Sequence, residues 1–146
     1  MINKELTDFI SKRLNIARRD LIEKDIILSK ILFHLTQNTG FFQDYAFKGG
    51  TCLTKCYFGY YRFSEDMDFT YLNQKEFIGK SKGKLREVMS DKINKLGELI
   101  EVIAKNLDLD FKMEKENKRY FQFGGSNAFV TFKIWYNSKE LEKETF

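Results

Sequence analysis

Two adjacent glycines, Gly49 and Gly50, constrain the fold of this chain more than any other feature of its sequence. The short aromatic run at 44–47 before them is typical of a buried strand, and a helix is predicted from Thr51 to about residue 58. Glycines at such a junction permit a tight turn and a close approach of the backbone to a ligand. The sequence therefore predicts a strand, a turn and a helix in direct succession.

A second strand is predicted at 66–72, where acidic residues alternate with apolar and aromatic ones. Residues two apart on a strand point to the same side, so Asp66 and Asp68 share a face while Met67 and Phe69 face the core. Two such carboxylates repel each other, and Mg²⁺ (or Mn²⁺) relieves the repulsion by binding carboxylate oxygens together with substrate phosphates. The pair is either a metal clamp or a solvated strand face.

The predicted turn has the chemistry of a phosphate site. Its glycines and the unpaired N–H groups of the helix start favour an anion. Thr51 is expected either to cap the helix or to offer its hydroxyl to a phosphate oxygen. Lys48 and Arg62 add positive charge nearby, and an arginine holds phosphate through two parallel hydrogen bonds. Since a Gly-Gly-Thr turn also serves simply to cap helices, the prediction rests on the turn and the acidic strand together.

The 146 residues are expected to form one domain over 1–146, possessing α+β structure in which a mixed or antiparallel sheet is flanked by helices and preceded by N-terminal helices. The remaining predicted elements are helices at 4–18, 23–38 and 85–107, and strands at 109–116, 119–123 and 129–136, the last two joined as a hairpin around 124–127. Residues 139–145 look like the start of a helix, which suggests the N-terminal part of a longer chain.

The composition of the chain indicates which classes of molecule it is expected to bind. The net charge of +4 favours an anionic partner such as a nucleotide or RNA. With no apolar run of membrane-spanning length and no secretory signal, we expect a cytoplasmic protein with no membrane partner.

These motifs carry a family resemblance. The run Phe-Lys-Gly-Gly-Thr-Cys-Leu at 47–53, Tyr57, and the run Arg-Phe-Ser-Glu-Asp-Met-Asp-Phe at 62–69 resemble the signature of the AbiEii/AbiGii abortive-infection toxins. The preceding Glu-Lys-Asp at 23–25 is similar to the segment that leads into this signature in the family. The resemblance covers 23–72, about a third of the chain.

The resemblance implies a DNA-polymerase-β-like nucleotidyltransferase that acts as the toxin of a bacterial toxin–antitoxin pair and blocks phage propagation. A nucleoside triphosphate would be the substrate, the 3′ end of transfer RNA the acceptor, and an antitoxin protein the partner. By position, Gly49, Gly50 and Thr51 would hold the triphosphate and Asp66 and Asp68 the metal. Ser64 and Arg62 would line the same pocket, with Ser64 counted among the catalytic residues.

The wider superfamily adds a third carboxylate from a later strand, and the strand predicted at 129–136 has none, with Trp135 near the expected place. Either the acid lies elsewhere, or the alignment is shifted, or activity is lost. Lys133 on that strand is either a phosphate ligand or a solvated lysine. Three hypotheses stay open: the RNA-modifying enzyme, a nucleotide- or partner-binding module with weakened catalysis, and a nucleotidyltransferase acting on small molecules of the antibiotic type.

Overall fold

The computed structural model describes residues 3–58, 63, 65–125 and 129–146. The chain divides into two compact units, the first formed by residues 1–72 with 137–145 and the second by 73–136 with Phe146. Helices and short antiparallel ribbons make up both, so the predicted α+β class is confirmed. Among the residues described, no helix is both long and apolar enough to cross a membrane.

Two helices open the first unit. Helix α1 (Lys4–Leu14) packs on α2 (Arg19–Gln37), which buries Ile22, Ile31 and Leu35 at helical spacing. Helix α1 was predicted to reach residue 18, but it ends at Leu14 because Asn15 adopts a left-handed conformation with φ 54°.

A short third helix, absent from the sequence prediction, leads into the first strand. Asn38 follows α2, and its side chain accepts a hydrogen bond from the N–H of Phe41, which caps α3 (Thr39–Asp44). Strand β1 (Tyr45–Lys48) comes next and pairs with β2 (Asp68–Tyr71) as an antiparallel ribbon. Between the two strands lie α4 (Gly49–Leu53) and a π-helical segment, Thr54–Phe58.

The second unit is built on α5 (Lys82–Asn106), which follows a 3₁₀ turn (Gln74–Phe77). The hairpin predicted around 124–127 is confirmed, since β3 (Phe121–Gly124) pairs with β4 (Phe129–Phe132) antiparallel, with Phe121 opposite Phe132. The rings of these two residues and of Phe111 lie 5.3–5.9 Å apart between centroids. Such mutually packed rings form the core of this unit.

Three other predicted elements differ in the structure. The strand predicted at 109–116 is wrong, because within it only Asp110 pairs, through an isolated bridge to Trp135. The strand predicted at 129–136 is divided into β4 and β5 (Tyr136–Ser138). The helix predicted at 139–145 is also wrong, since that segment turns back into β6 (Lys143–Thr145) and pairs with β5.

The described strands form three separate two-stranded ribbons, where the sequence suggested one sheet. The third ribbon is held in the first unit by Glu23, which is 2% exposed. Its carboxylate accepts hydrogen bonds from the Ser138 hydroxyl at 2.5 Å and from the N–H of Lys139 at 2.8 Å. The expectation of a single domain over 1–146 stays a prediction.

Candidate active site

The ribbon of β1 and β2 has one aromatic face and one polar face. Directly opposite residues in an antiparallel pair place their side chains on the same side. Phe47 lies opposite Phe69 with 5.2 Å between ring centroids, and the Phe69 ring also contacts Phe41 of α3 at 5.0 Å. On the other face Lys48 lies opposite Asp68, and both are exposed. The aromatic packing therefore fixes Lys48 and Asp68 beside each other.

Gly49 joins β1 to α4 in a conformation that requires glycine. Its φ is +77°, a region that residues with a side chain rarely adopt. A Cβ built on Gly49 would overlap the carboxylate of Asp68. The group that the glycine turn approaches in the structure is the second acid of the Asp-x-Asp pair, and its approach to a ligand stays a prediction.

Thr51 ties the same turn to the first acid. It is 2% exposed, and its hydroxyl donates a hydrogen bond to the backbone carbonyl of Asp66. The expectation that Thr51 caps the helix is wrong, because α4 begins at Gly49 and Lys48 occupies the cap position. A hydroxyl has one proton to donate, and this hydrogen bond uses it.

The strand predicted at 66–72 begins two residues later than expected, at Asp68, so Asp66 precedes β2 and does not share a strand with Asp68. Asp66 and Asp68 are exposed, whereas Met67 and Phe69 are half-buried. Since Thr51 holds the backbone of Asp66 and Gly49 lies against the carboxylate of Asp68, both acids are anchored to one turn. Across the described residues, no group of three or more His, Cys, Asp or Glu side chains converges on a possible metal position.

The other predicted site residues are spread over the chain. Arg62 and Ser64 lie outside the described residues, so their predicted roles stay predictions. Lys133 belongs to the second unit, where its ammonium lies 5.7 Å from the ring centroid of Phe146. Trp135, where a third acid was sought, donates its indole N–H to the carbonyl of Arg119 at 2.8 Å.

Two charged residues to which the sequence analysis gave no role in the site join α2 to the segment that follows the turn. Lys55, in the π segment, forms an ion pair with Asp25 of α2 at 2.7 Å, and both side chains are nearly buried. In the sequence, the two residues are recognisable only as opposite charges within two largely apolar helical segments. The sequence alone does not show that they pair, because they lie 30 positions apart.

The thiol of Cys52 in α4 is not activated. Cys52 and Cys56 are free cysteines. Burial raises the pKa of the Cys52 thiol, and the neighbouring Cys56 raises it further. Because the thiolate is the nucleophile and the metal ligand, a raised pKa argues against either role for Cys52.

Comparison with known proteins identifies the family. A family model described as the nucleotidyl transferase AbiEii toxin of a type IV toxin–antitoxin system matches residues 30–141. Neither the curated proteins nor the solved structures yield a match. The matched span is more than half of the chain and includes both the glycine turn and the acidic pair. The chain belongs to the AbiEii family of nucleotidyl transferase toxins.

Proposed function

We propose that this chain transfers a nucleotide from a nucleoside triphosphate to the 3′ end of transfer RNA, in a reaction that depends on Mg²⁺ or Mn²⁺. The observation that carries the proposal is the contact between Gly49 and the carboxylate of Asp68. It brings a turn suited to phosphate against an acid suited to a divalent cation. A metal–triphosphate complex needs both partners within a few ångströms of each other.

The residues present fit a divalent cation. Asp66 and Asp68 offer exposed, hard oxygen ligands, and Mg²⁺ sites commonly use one or two carboxylates and complete their coordination with water and substrate phosphates. The absence of a side chain on Gly49 lets the Asp68 carboxylate lie directly against the turn, so that one ligand could contact both. Bound there, the cation would supply charge neutralisation on the phosphate oxygens.

The turn would bind the triphosphate through its backbone. Because the Thr51 hydroxyl is used by Asp66, we assign to Thr51 its N–H group, together with those of Gly49 and Gly50. Lys48 would add a positive charge on the same face as Asp68. Arg62 and Ser64 complete the proposed pocket on the strength of the family signature alone.

In the reaction, the terminal hydroxyl of the acceptor attacks the α-phosphorus of the triphosphate. A new P–O bond forms, the bond to the bridging oxygen breaks, and pyrophosphate leaves while the hydroxyl proton passes to solvent. The residues of the turn contribute by holding the triphosphate in line with the attacking oxygen and by stabilising charge on its oxygens.

The biological role that fits this chemistry is that of a toxin controlled by a cognate antitoxin and used in defence against phage. Modification of transfer RNA at its 3′ end would block aminoacylation and so stop protein synthesis. Expression of the chain in bacteria should arrest growth, co-expression of the antitoxin should restore it, and the Asp66→Ala variant should be harmless.

The direct test is transfer of label. The purified chain is incubated with total bacterial transfer RNA, Mg²⁺ and each α-labelled nucleoside triphosphate in turn, alongside Asp66→Ala. Label on RNA that depends on Mg²⁺ and is lost in the variant is the expected result. Equal labelling by Asp66→Ala would refute the metal assignment, and label only on an added compact polar compound would point to a small-molecule acceptor.

One observation favours a second candidate. In the part of the chain that the structure describes, no third acid joins Asp66 and Asp68. A module that binds a nucleotide or a partner protein without turnover would have this composition. Tight, Mg²⁺-dependent binding of triphosphate with no labelled product from any acceptor would favour that module over the enzyme.

A further inference from the structure

A nearly buried ion pair joins α2 to the π segment that follows the glycine turn and α4. The ammonium of Lys55 contacts the carboxylate of Asp25 at 2.7 Å, and the two side chains are 11% and 12% exposed. Ser29, one turn further along α2, accepts a second hydrogen bond from the same ammonium at 2.7 Å. The Ser29 hydroxyl is fixed in turn, since it donates to the backbone carbonyl of Asp25 at 2.7 Å.

Lys55 is part of the helical segment that continues the turn. It lies in the π segment, immediately after α4. The adjacent residue, Thr54, is bonded back to the turn, because its hydroxyl and its N–H both reach the carbonyl of Gly50. A displacement of Lys55 would therefore also displace Gly50, because Thr54, next to Lys55, is hydrogen-bonded to the Gly50 carbonyl one helical turn earlier. Isolated π turns are frequent at functional sites.

The geometry of the Asp25–Lys55 pair is better suited to positioning the π segment than to raising the free energy of unfolding. Ion pairs removed from water contribute little net stability compared with apolar residues of similar size, but they enforce one specific arrangement of their partners. Asp25 and Ser29 lie one turn apart on a long helix, and the carboxylate of Asp25 and the hydroxyl of Ser29 both accept hydrogen bonds from the Lys55 ammonium. A neighbouring residue of α2, Lys24, also reaches toward the acidic segment, through Glu65 at 3.3 Å.

We infer that the Asp25–Lys55 pair, supported by Ser29, is a positioning device that holds the Gly49–Gly50 turn in its nucleotide-binding conformation. The inference rests on the proposed function, in which that turn binds the triphosphate. Neither Asp25 nor Lys55 touches the nucleotide in this account; both act through the π segment and Thr54.

The test compares Asp25→Asn, Lys55→Met and the double variant with the original chain. Lys12→Met is the matched control, because it removes a lysine and its ion pair with Asp8 from the same unit at an exposed position. Two quantities are measured. One is the Kd of each of the four α,β-methylene nucleoside triphosphates with Mg²⁺; the other is hydrogen exchange of the amides of 53–58 without nucleotide.

Each single variant should raise the Kd by about tenfold and speed exchange at 53–58, since small displacements of a positioning element have effects of this size. Exchange in α5 should not change, and Lys12→Met should match the original chain in both measurements. If a single variant does not fold, the Kd and the hydrogen exchange at 53–58 are measured on the double variant, which leaves no unpaired charge between the helices.

The outcomes separate this inference from the proposed function. Folded variants with unchanged Kd and unchanged exchange would overturn the inference and leave the proposed function standing. If the original chain binds none of the four nucleotides, the proposed function fails, and the nucleotide half of the inference fails with it. Unchanged exchange at 53–58 would then overturn the remaining half, and faster exchange would support it.

Discussion

The carboxylate of Asp68 lies so close to the Cα atom of Gly49 that no side chain fits between them. Strand pairing alone does not require this, since Asp68 is opposite Lys48 in the ribbon. The contact exists because Gly49 turns the chain at φ +77° and directs the start of α4 past the acid. The glycine turn and the second acid of the Asp-x-Asp pair thus lie in direct contact in the fold.

Gly49→Ala should destabilise the chain and abolish nucleotide binding. A side chain at positive φ costs about 1–2 kcal/mol, and the overlap with Asp68 adds to this. Gly79→Ala is the control, because Gly79 has φ +73° but no atoms within 4 Å of the position of its Cβ. Urea unfolding should show a larger loss for Gly49→Ala. Equal losses with normal triphosphate binding would mean that the contact with Asp68 is unimportant.

Thr51→Val should weaken metal-dependent triphosphate binding, whereas Thr51→Ser should not. Valine keeps the buried volume but removes the hydroxyl that donates to the Asp66 carbonyl, at a cost of about 1 kcal/mol or more. Serine keeps that donor and loses only a methyl group. The Kd for a triphosphate with Mg²⁺ checks this. Equal affinities for the two variants would show that the hydrogen bond does not position the acid.

Glu23→Gln should loosen the segment that follows β5. The Glu23 carboxylate accepts hydrogen bonds from the Ser138 hydroxyl and the Lys139 N–H at a site that is 2% exposed. A glutamine can present only one oxygen to these donors, so we expect a loss of about 1–3 kcal/mol of unfolding free energy. Limited proteolysis should cut near 139–142 faster than in the original chain. Unchanged cleavage would contradict the assignment of Glu23 as the anchor.

Stability should fall in acid partly through Asp110. Burial acts to raise the pKa of this carboxyl, but hydrogen bonds from Arg119 and Tyr120 outweigh it, and the net pKa is lowered from 3.8. A lowered pKa in the folded state gives stability that is present above pH 3.8 and is lost as the pH falls through the folded value. Urea unfolding between pH 7 and pH 3 should therefore show a smaller acid loss in Asp110→Asn. Parallel curves would refute this.

The glycine turn and the exposure of the two acids could be predicted because their signals in the sequence are local. Glycines between a strand and a helix, and acids two apart on a strand, have a physical meaning that does not depend on distant partners. The turn at Gly49 and the exposure of Asp66 and Asp68 followed from such signals. The role of Thr51 did not, because its partner, the Asp66 carbonyl, is 15 positions away.

The errors concern segments whose structure is decided by distant contacts. At 109–116 the apolar alternation reflects burial of Phe111, which packs among rings from other elements, and not a strand with partners. At 139–145 the charged sequence suggested a helix, but Glu23, more than a hundred positions earlier, binds the turn that reverses the chain. Neither partner can be assigned from the local sequence.

The most direct test of the central claim is Mn²⁺ binding, followed by electron paramagnetic resonance with and without an α,β-methylene nucleoside triphosphate. Mn²⁺ replaces Mg²⁺ at oxygen sites and reports its own free concentration. The account predicts that the chain binds Mn²⁺ more tightly when the triphosphate is present, and that Asp68→Asn, which keeps the shape against Gly49, loses this coupling. Coupling of normal strength in Asp68→Asn would contradict a shared metal and nucleotide site.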